Sequence, residues 1–375
     1  MPEAAAAEER AWELVRSAYA AREPLGTPAR SRRPFVLALV AAVVVAAAAL
    51  SPPGLAVLSS VREALTPGVQ HARTTLVALP APGRLLVNAS DGSAWVVSDD
   101  GSKRRLGPYR DATWSPHGLF VAAVQGRQLV ALEPDGTVRW TLTRASRPRL
   151  PSWNEPDGFR IAYLLDNTLR VVNGDGTGDR LLAAGVASVR PAWRPGPRHE
   201  LAYVRRDGTL VVEAADSGTV RWSRRRPTSP TQLSWTGDGR RLLVVAPHRL
   251  RVYDARGRIV RSAQAPYDTR LVAAAFRPGS HAVVELRRGE NASSAVLLGS
   301  DRTLFEGPGR ISGLAWSPNG RWLLLAWRSA DQWLFVRVVP ARRTVLAFGA
   351  IATAFNPADR GPAGDPTLAG WCCSR

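Results

Sequence analysis

Cysteine, methionine and lysine are almost missing from this chain. Its 375 residues include two cysteines and one methionine, and Lys103 is the single lysine. Cys372 and Cys373 are adjacent in sequence. Vicinal cysteines rarely bridge each other and no third is present to partner them, so no structural disulfide is expected. Two thiols are also too few for a structural zinc site. Histidine is scarce too: His71, His117, His199, His248 and His281 are the five, and none falls in His-x-His or His-Glu-x-x-His spacing. A Gly-x-Ser-x-Gly elbow, a phosphate loop and a dinucleotide fingerprint are all absent. Arg375 lies 16 residues beyond Asp359 of the last repeat motif, so a following hydrolase domain is not expected. No catalytic, cofactor-binding or metal-binding residue is assigned, and no cofactor is expected.

Arginine takes the place of lysine, supplying 49 of the 50 basic residues of a chain with net charge +19. Residues 1–34 hold six Arg against five Glu, so nearly all of the excess lies further on. An excess of this size reflects either a bias toward arginine or a basic surface that attracts anionic polymers or lipid.

One long apolar run occurs. Phe35 to Leu50 is sixteen residues without a charge, and Ser51-Pro52-Pro53-Gly54 interrupts it before Leu55 to Leu58. A helix of sixteen residues spans about 24 Å, short of a hydrocarbon core of about 30 Å. Residues 34–58 together can cross, and we read them as a transmembrane signal-anchor, with a cleaved signal peptide as the rival. Arg30, Arg32 and Arg33 precede the segment and basic residues beyond it are sparse. That asymmetry places the N-terminus in the cytoplasm and the rest outside, as a single-pass protein of a bacterial cell membrane. Within the tail, residues 1–33, Ala4 to Arg22 reads as a short amphipathic helix with Trp12, Val15 and Tyr19 on one face. Residues 59–82 read as a linker.

The remainder is written by a motif that returns about every 40 residues. It reads Trp114-Ser-Pro-His-Gly118, Trp153-Asn-Glu-Pro-Asp-Gly158, Trp193-Arg-Pro-Gly196 and Trp235-Thr-Gly-Asp-Gly239. It continues as Phe276-Arg-Pro-Gly279, Trp316-Ser-Pro-Asn-Gly320 and Phe355-Asn-Pro-Ala-Asp359. The intervals between the aromatics are 39, 40, 42, 41, 40 and 39 residues. An aromatic followed by a turn at this period marks a β-propeller of four-stranded blades. Residues 84–107 supply strands two to four of a blade that lacks its first strand. Ile351 to Phe355 reads as that missing strand, so one blade is assembled from both ends of the chain. The expectation is an all-β, seven-bladed propeller over 83–358, with 359–375 as a C-terminal tail. Seven aromatics at equivalent positions are expected to be inter-blade core.

Trp114-Ser115-Pro116-His117-Gly118 and Trp316-Ser317-Pro318-Asn319-Gly320 resemble the WD40-like repeats of the TolB propeller family, each matching Trp-Ser-Pro-Asp-Gly in four of five positions. His117 and Asn319 replace the Asp. The resemblance covers about residues 84–357 and implies a propeller that is extracytoplasmic and binds other envelope proteins. The N-terminal anchor departs from a free periplasmic protein. No helical N-terminal domain of the TolB kind is evident, so a Pal-binding role is not carried over.

The leading functional expectation is a membrane-anchored module that binds an envelope protein or an anionic polymer; no specific nucleic-acid partner is indicated. Arg205-Arg206, Arg224-Arg225-Arg226 and Arg287-Arg288 are candidates to pair with carboxylate or phosphate. Alternatives are a ligand-binding or catalytic site in the axial channel, built from groups such as Asp111, Glu155, Asp166, Asp268 and Glu290, or a structural assembly subunit. His117, His199 and His281 occupy similar turns and read as independent exposed residues. Asn173-Gly-Asp-Gly-Thr-Gly-Asp179 is the nearest approach to a calcium loop, and it also explains itself as a turn.

Overall fold

The computed structural model describes residues 78–225, 229–300, 302–338, 344–356 and 364–373. The chain divides into two units, 1–66 and 67–375, and every described residue lies in the second. The expected anchor at 34–58 and the helix at 4–22 lie outside the described residues. Among the described residues, no helix is long and apolar enough to cross a membrane.

Seven four-stranded antiparallel sheets form the described unit, as a propeller requires. Blade 1 takes β1 (Arg84–Asn88), β2 (Ala94–Val97) and β3 (Lys103–Gly107). Blade 2 runs through β4 (Arg110–Trp114), β5 (Val121–Gln125), β6 (Gln128–Leu132) and β7 (Val138–Thr143). Blade 3 comprises β8 (Pro148–Trp153), β9 (Arg160–Leu165), β10 (Thr168–Asn173) and β11 (Arg180–Ala184). Blade 4 comprises β12 (Ala192–Trp193), β13 (Glu200–Val204), β14 (Thr209–Ala214) and β15 (Thr219–Arg225). Blade 5 comprises β16 (Gln232–Trp235), β17 (Arg241–Ala246), β18 (Arg249–Asp254) and β19 (Ile259–Gln264). Blade 6 comprises β20 (Arg270–Phe276), β21 (Val283–Arg288), β22 (Ala292–Leu297) and β23 (Arg302–Pro308). Blade 7 comprises β24 (Ile311–Trp316), β25 (Trp322–Trp327), β26 (Gln332–Arg337) and β27 (Thr344–Phe348).

The ring closes with a strand that the repeat spacing did not indicate. Ile351–Ala354 is a short helix, α1, and the innermost strand of blade 1 is β28 (Thr367–Cys372). Residues 367–372 thus belong to the propeller, which corrects both the expected strand at 351–355 and the expected tail at 359–375. Register explains the correction. Trp371 opposes Leu85 as Trp316 opposes Leu323 and Trp153 opposes Ile161, so Trp371 holds the repeat's aromatic position. Phe355 fills the core beside it, with ring centroids 5.8 Å from Trp95 and 5.2 Å from Trp333.

The two cysteines are bonded to each other at the end of β28, against the sequence expectation. They face Gly118 of the neighbouring turn, where an added Cβ would sit 3.3 Å from either sulfur. The bond joins adjacent residues and closes no long loop, so it does not staple one blade to another.

Alternation explains the strands. Outer strands such as β7 and β19 carry exposed positions along most of their length, whereas Val121–Val124 and Leu323–Ala326 are buried on both faces. Second strands lie between two neighbouring blades, so both of their faces are apolar. The core is a series of clusters across blade seams, for example Ala122 and Leu129 of blade 2 with Trp153, Ile161 and Tyr163 of blade 3. Trp153, Trp193, Trp235, Trp316 and Phe355 are buried, and Trp114 and Phe276 are half-buried. The indole of Trp193 donates to Ser152 O at 2.9 Å and that of Trp235 to Ala192 O at 3.2 Å, each on the inner strand of the preceding blade.

Candidate functional site

Inner strands are poor in groups that could do chemistry. Along β4, β8, β12, β16, β20 and β24, the ionisable side chains are Arg110, Asp111, Arg149 and Arg270, all within the first two residues of a strand. On β28 the one such residue is Cys372, which is held in the disulfide. Charge is placed instead on two rims. One rim carries the turns between first and second strands and between third and fourth strands. The opposite rim carries the turns between second and third strands and the connections from one blade to the next.

On the first rim, the turn rim, charges are tied across the seams. Arg84 donates to Gly118 O at 2.6 Å, Arg194 to Gly239 O at 2.7 Å, and Arg277 to Gly320 O at 2.8 Å. Each joins one blade to the first turn of the next. Arg84 lies over the Trp114 ring and Arg194 over the Trp235 ring. Gly239 has φ +65°, and a Cβ there would meet Pro195 O at 2.6 Å, so both backbone hand and close approach require glycine. Buried Glu200 accepts from Arg194 at 2.5 Å and pairs with Arg221 at 3.1 Å.

The turn histidines also join this web rather than standing alone. His199 contacts Asp216 of its own blade and Asp157 of blade 3, the latter at 3.2 Å. His281 contacts Asp238 of blade 5 at 2.9 Å. Burial works against a charged His199, but its bonds to Asp216 and Asp157 outweigh that and raise its pKa above the usual 6.5. His117 adopts φ +61° in its turn and stabilises the charge of Glu155, whose pKa is raised by crowding around the carboxyl. Two shallow depressions mark this rim. One of about 190 Å³ is lined by Arg194, Arg198 and Glu200, and one of about 300 Å³ by Arg240, Arg241, Arg256, Arg258 and His281.

The second, connection rim differs between blades 6 and 7. Arg270, at the start of β20, directly opposes Arg288, at the end of β21. Arg288 donates through Nη2 to Ile311 O at 3.0 Å, and its buried Nε has no hydrogen-bond partner. Arg310 is fixed through its backbone, with N to Ser329 Oγ at 2.8 Å and Ser329 N to Arg310 O at 3.2 Å. Arg328 precedes that serine and pairs with Asp365 at 2.6 Å. Partial burial depresses the Arg288 pKa, and repulsion from Arg270, Arg310 and Arg328 depresses it further. Arg287 turns to buried Glu285 at 2.6 Å.

The structure separates the other singled-out residues. Asp111 accepts from Leu150 N at 3.2 Å and its charge supports half-buried Arg190. Asp166 accepts from Ser146 Oγ at 2.7 Å, while Asp268 and Glu290 are exposed in turns of the connection rim. Glu155 sits on the opposite rim. No hydrogen bond or ion pair among the described residues joins any two of these five. In the segment 173–179, Asp175 accepts from Thr177 N and Oγ1, and Asp179 turns away to hold Tyr163 OH at 2.7 Å and Arg170 at 2.6 Å. Its oxygens serve the turn and the seam to Arg144, and no cluster of three or more metal-ligating residues occurs among the described residues. Arg205 and Arg206 lie in a turn of the connection rim, where Arg206 donates to Asn167 at 2.6 Å. Arg224 donates to Gly257 O at 2.9 Å, and Arg226 lies outside the described residues.

Sequence reading named Arg287-Arg288 but missed their companions. A signal was present. Arg270 and Arg310 each lie six residues before a repeat aromatic, Phe276 and Trp316, and Arg288 and Arg328 each lie twelve after. The four are two copies of one arginine pair in adjacent blades.

These features define a seven-bladed β-propeller that resembles WD40- and TolB-like propellers in general form. No family model matches the chain, and no curated protein matches it. Among solved structures, it is similar to the C-terminal WD40 domain of Sif2, with 12% identity, TM-score 0.56, and coverage of 80% of this chain and 95% of that one. It is also similar to a chain of the mitotic checkpoint complex, with 16% identity, TM-score 0.52, and coverage of 64% and 76%. At such identities the likeness is one of fold.

Proposed function

We propose that this chain is a membrane-tethered binding module whose extracytoplasmic propeller docks an envelope protein or an anionic polymer. The observation that carries the reading is the distribution of charge. The inner strands offer no acid–base group beyond their second residue except the disulfide-bonded Cys372, while both rims are lined with guanidinium groups held by the blades. A closed propeller presents such groups as a fixed surface, which lowers the ordering cost of docking. The apolar run 34–58 and the arginines before it support the tether and its orientation. One similar propeller is found in an assembly, the mitotic checkpoint complex, which fits a docking role.

The test is crosslinking on intact cells, followed by detergent solubilisation and isolation through an N-terminal tag. The expected result is a partner attached through residues 78–373, with the tag protected from protease added outside. Attachment only to cytoplasmic material would overturn the topology. Substrate turnover by the purified chain would overturn the binding reading.

A further inference from the structure

Taking the binding-module reading as its base, we infer that the connection rim of blades 6 and 7 binds successive phosphoryl groups of a base-free polyanion through Arg270, Arg288, Arg310 and Arg328. Like charges directly opposite on neighbouring strands are destabilising, yet Arg270 and Arg288 are paired in this way. Among the described residues, Arg270 and Arg310 have no side-chain hydrogen bond or ion pair, and Arg288 bonds to a carbonyl that leaves its charge uncompensated. Arg328 shares its charge with Asp365. Asp268 and Glu290 flank the cluster but form no ion pair with it among the described residues. An anion from outside would supply the missing counter-charge through the exposed guanidinium groups of Arg270 and Arg310.

Chemistry selects the class of anion. A carboxylate brings one charge and two oxygens, enough for one guanidinium fork. An internal phosphoryl group of a polymer also carries one charge and two free oxygens, but they leave a tetrahedral centre flanked by bridging oxygens, so each can meet the guanidinium of a different arginine. The arginine pair recurs one blade further on, at Arg310 and Arg328, so the surface repeats as a polymer does. Nucleic acid is disfavoured because binding of single strands uses several stacking platforms. Tyr267 is the exposed aromatic beside the cluster, whereas Trp327 is tied to Pro308 O and packed on Phe305.

The test uses the full chain in a neutral detergent, with fluorescently labelled linear polyphosphate as the probe and anisotropy as the readout. Arg270→Gln with Arg310→Gln changes two exposed side chains, and should weaken binding at least about tenfold, since bonds to charged groups are the stronger class. Arg256→Gln with Arg258→Gln on the turn rim should leave binding within about twofold, because surface pairs away from a contact contribute little. Equal losses in both doubles, or no loss in the first, would overturn the site. So would equal competition by polyglutamate of matched charge, tighter binding of a single-stranded oligonucleotide, or inorganic phosphate competing as well as the polymer. Loss of polyphosphate binding by the native chain with partner crosslinking intact removes this inference alone. Polyphosphate binding with no crosslinked protein removes the protein-docking half of that reading and leaves its polymer half and this inference standing.

Discussion

The turn rim and the connection rim of blades 6 and 7 use the same residue, arginine, in opposite ways. On the turn rim, Arg194 reaches a neighbouring carbonyl, stacks on Trp235 and shares Glu200 with Arg221. Its donors are used within the protein: the bond to Gly239 and the stacking on Trp235 join blades 4 and 5, and the ion pair with Glu200 fixes the side chain within blade 4. On the connection rim, Arg288 faces Arg270, Arg310 and Arg328, and its Nε is left over. The turn rim is thus spent on holding the ring together, while the arginines of blades 6 and 7 hold potential for something outside it. Surface charge becomes a functional signal where its internal partners are missing, not where it is merely abundant.

Both rims depend on ring closure, so the largest effect is expected from opening the ring. Removing residues 364–375 deletes β28 and leaves the inner edge of β1 unpaired. Trp371 is lost with it, from a cluster that also holds Leu85, Phe335 and Phe355. The expected outcome is loss of soluble monomer, seen as aggregation on size-exclusion chromatography, because an exposed edge strand templates pairing with other chains. A truncated chain that stays monomeric and melts near the native midpoint would show that β28 is dispensable for closure.

The comparison is sharpened next by deleting one charge from each rim. Glu200→Ala leaves Arg194 and Arg221 without their carboxylate, and because both arginines keep partial access to solvent it is expected to cost about 1–2 kcal/mol. Arg288→Met keeps the stem's packing and removes a charge repelled by three others. It is expected to leave stability unchanged or to raise it by up to about 1 kcal/mol. Urea denaturation of the two variants measures both. If both are destabilised alike, the rims do not differ in the way described, and Arg288 is one more structural arginine.

Much of this fold was legible because the repeat writes it locally. Trp316-Ser-Pro-Asn-Gly320 specifies a strand end and a tight turn within five residues, and the second strand follows as Trp322–Trp327. The closing strand was not legible, for a physical reason. Its covalent neighbour is not its hairpin partner, so Trp371 needs no Pro-Asn-Gly turn to reach β1, and the signature disappears. Phe355 kept the spacing and the aromatic without the strand, because its ring fills the core between Trp95 and Trp333 instead. The rim arginines were visible as letters but not as partners. Whether Arg288 meets Glu285, as Arg287 does, or Arg270 depends on strand register and on which face a side chain takes. A sequence reveals these only once the blades are paired.

The smallest expected effect concerns protonation on the turn rim. His199 is held by Asp216 and Asp157, and despite the opposing effect of burial its pKa lies above 6.5. Burial also opposes the charged forms of the two carboxylates. For Asp157, the bonds from Phe159 N, Asn154 and His199 outweigh it, and for Asp216 those from His199 and Arg160 do, so both lie below 3.8. A group whose pKa is raised on folding stabilises fully below its unfolded value, and that contribution is lost as pH rises through the folded value. The depressed carboxylates contribute above their unfolded value and lose that contribution as pH falls through the folded one. The seam between blades 3 and 4 is therefore at its strongest between about pH 4 and 6.5, the reference range for carboxylate and imidazole. Raising pH from 6 to 9 should lower the native melting temperature by a few degrees more than it lowers that of His199→Gln. The difference stays small because Asp216 is partly exposed and solvent screens the pair. Parallel pH profiles for the two proteins would mean that His199 contributes no charge to the seam, and that the turn rim is held by its arginines alone.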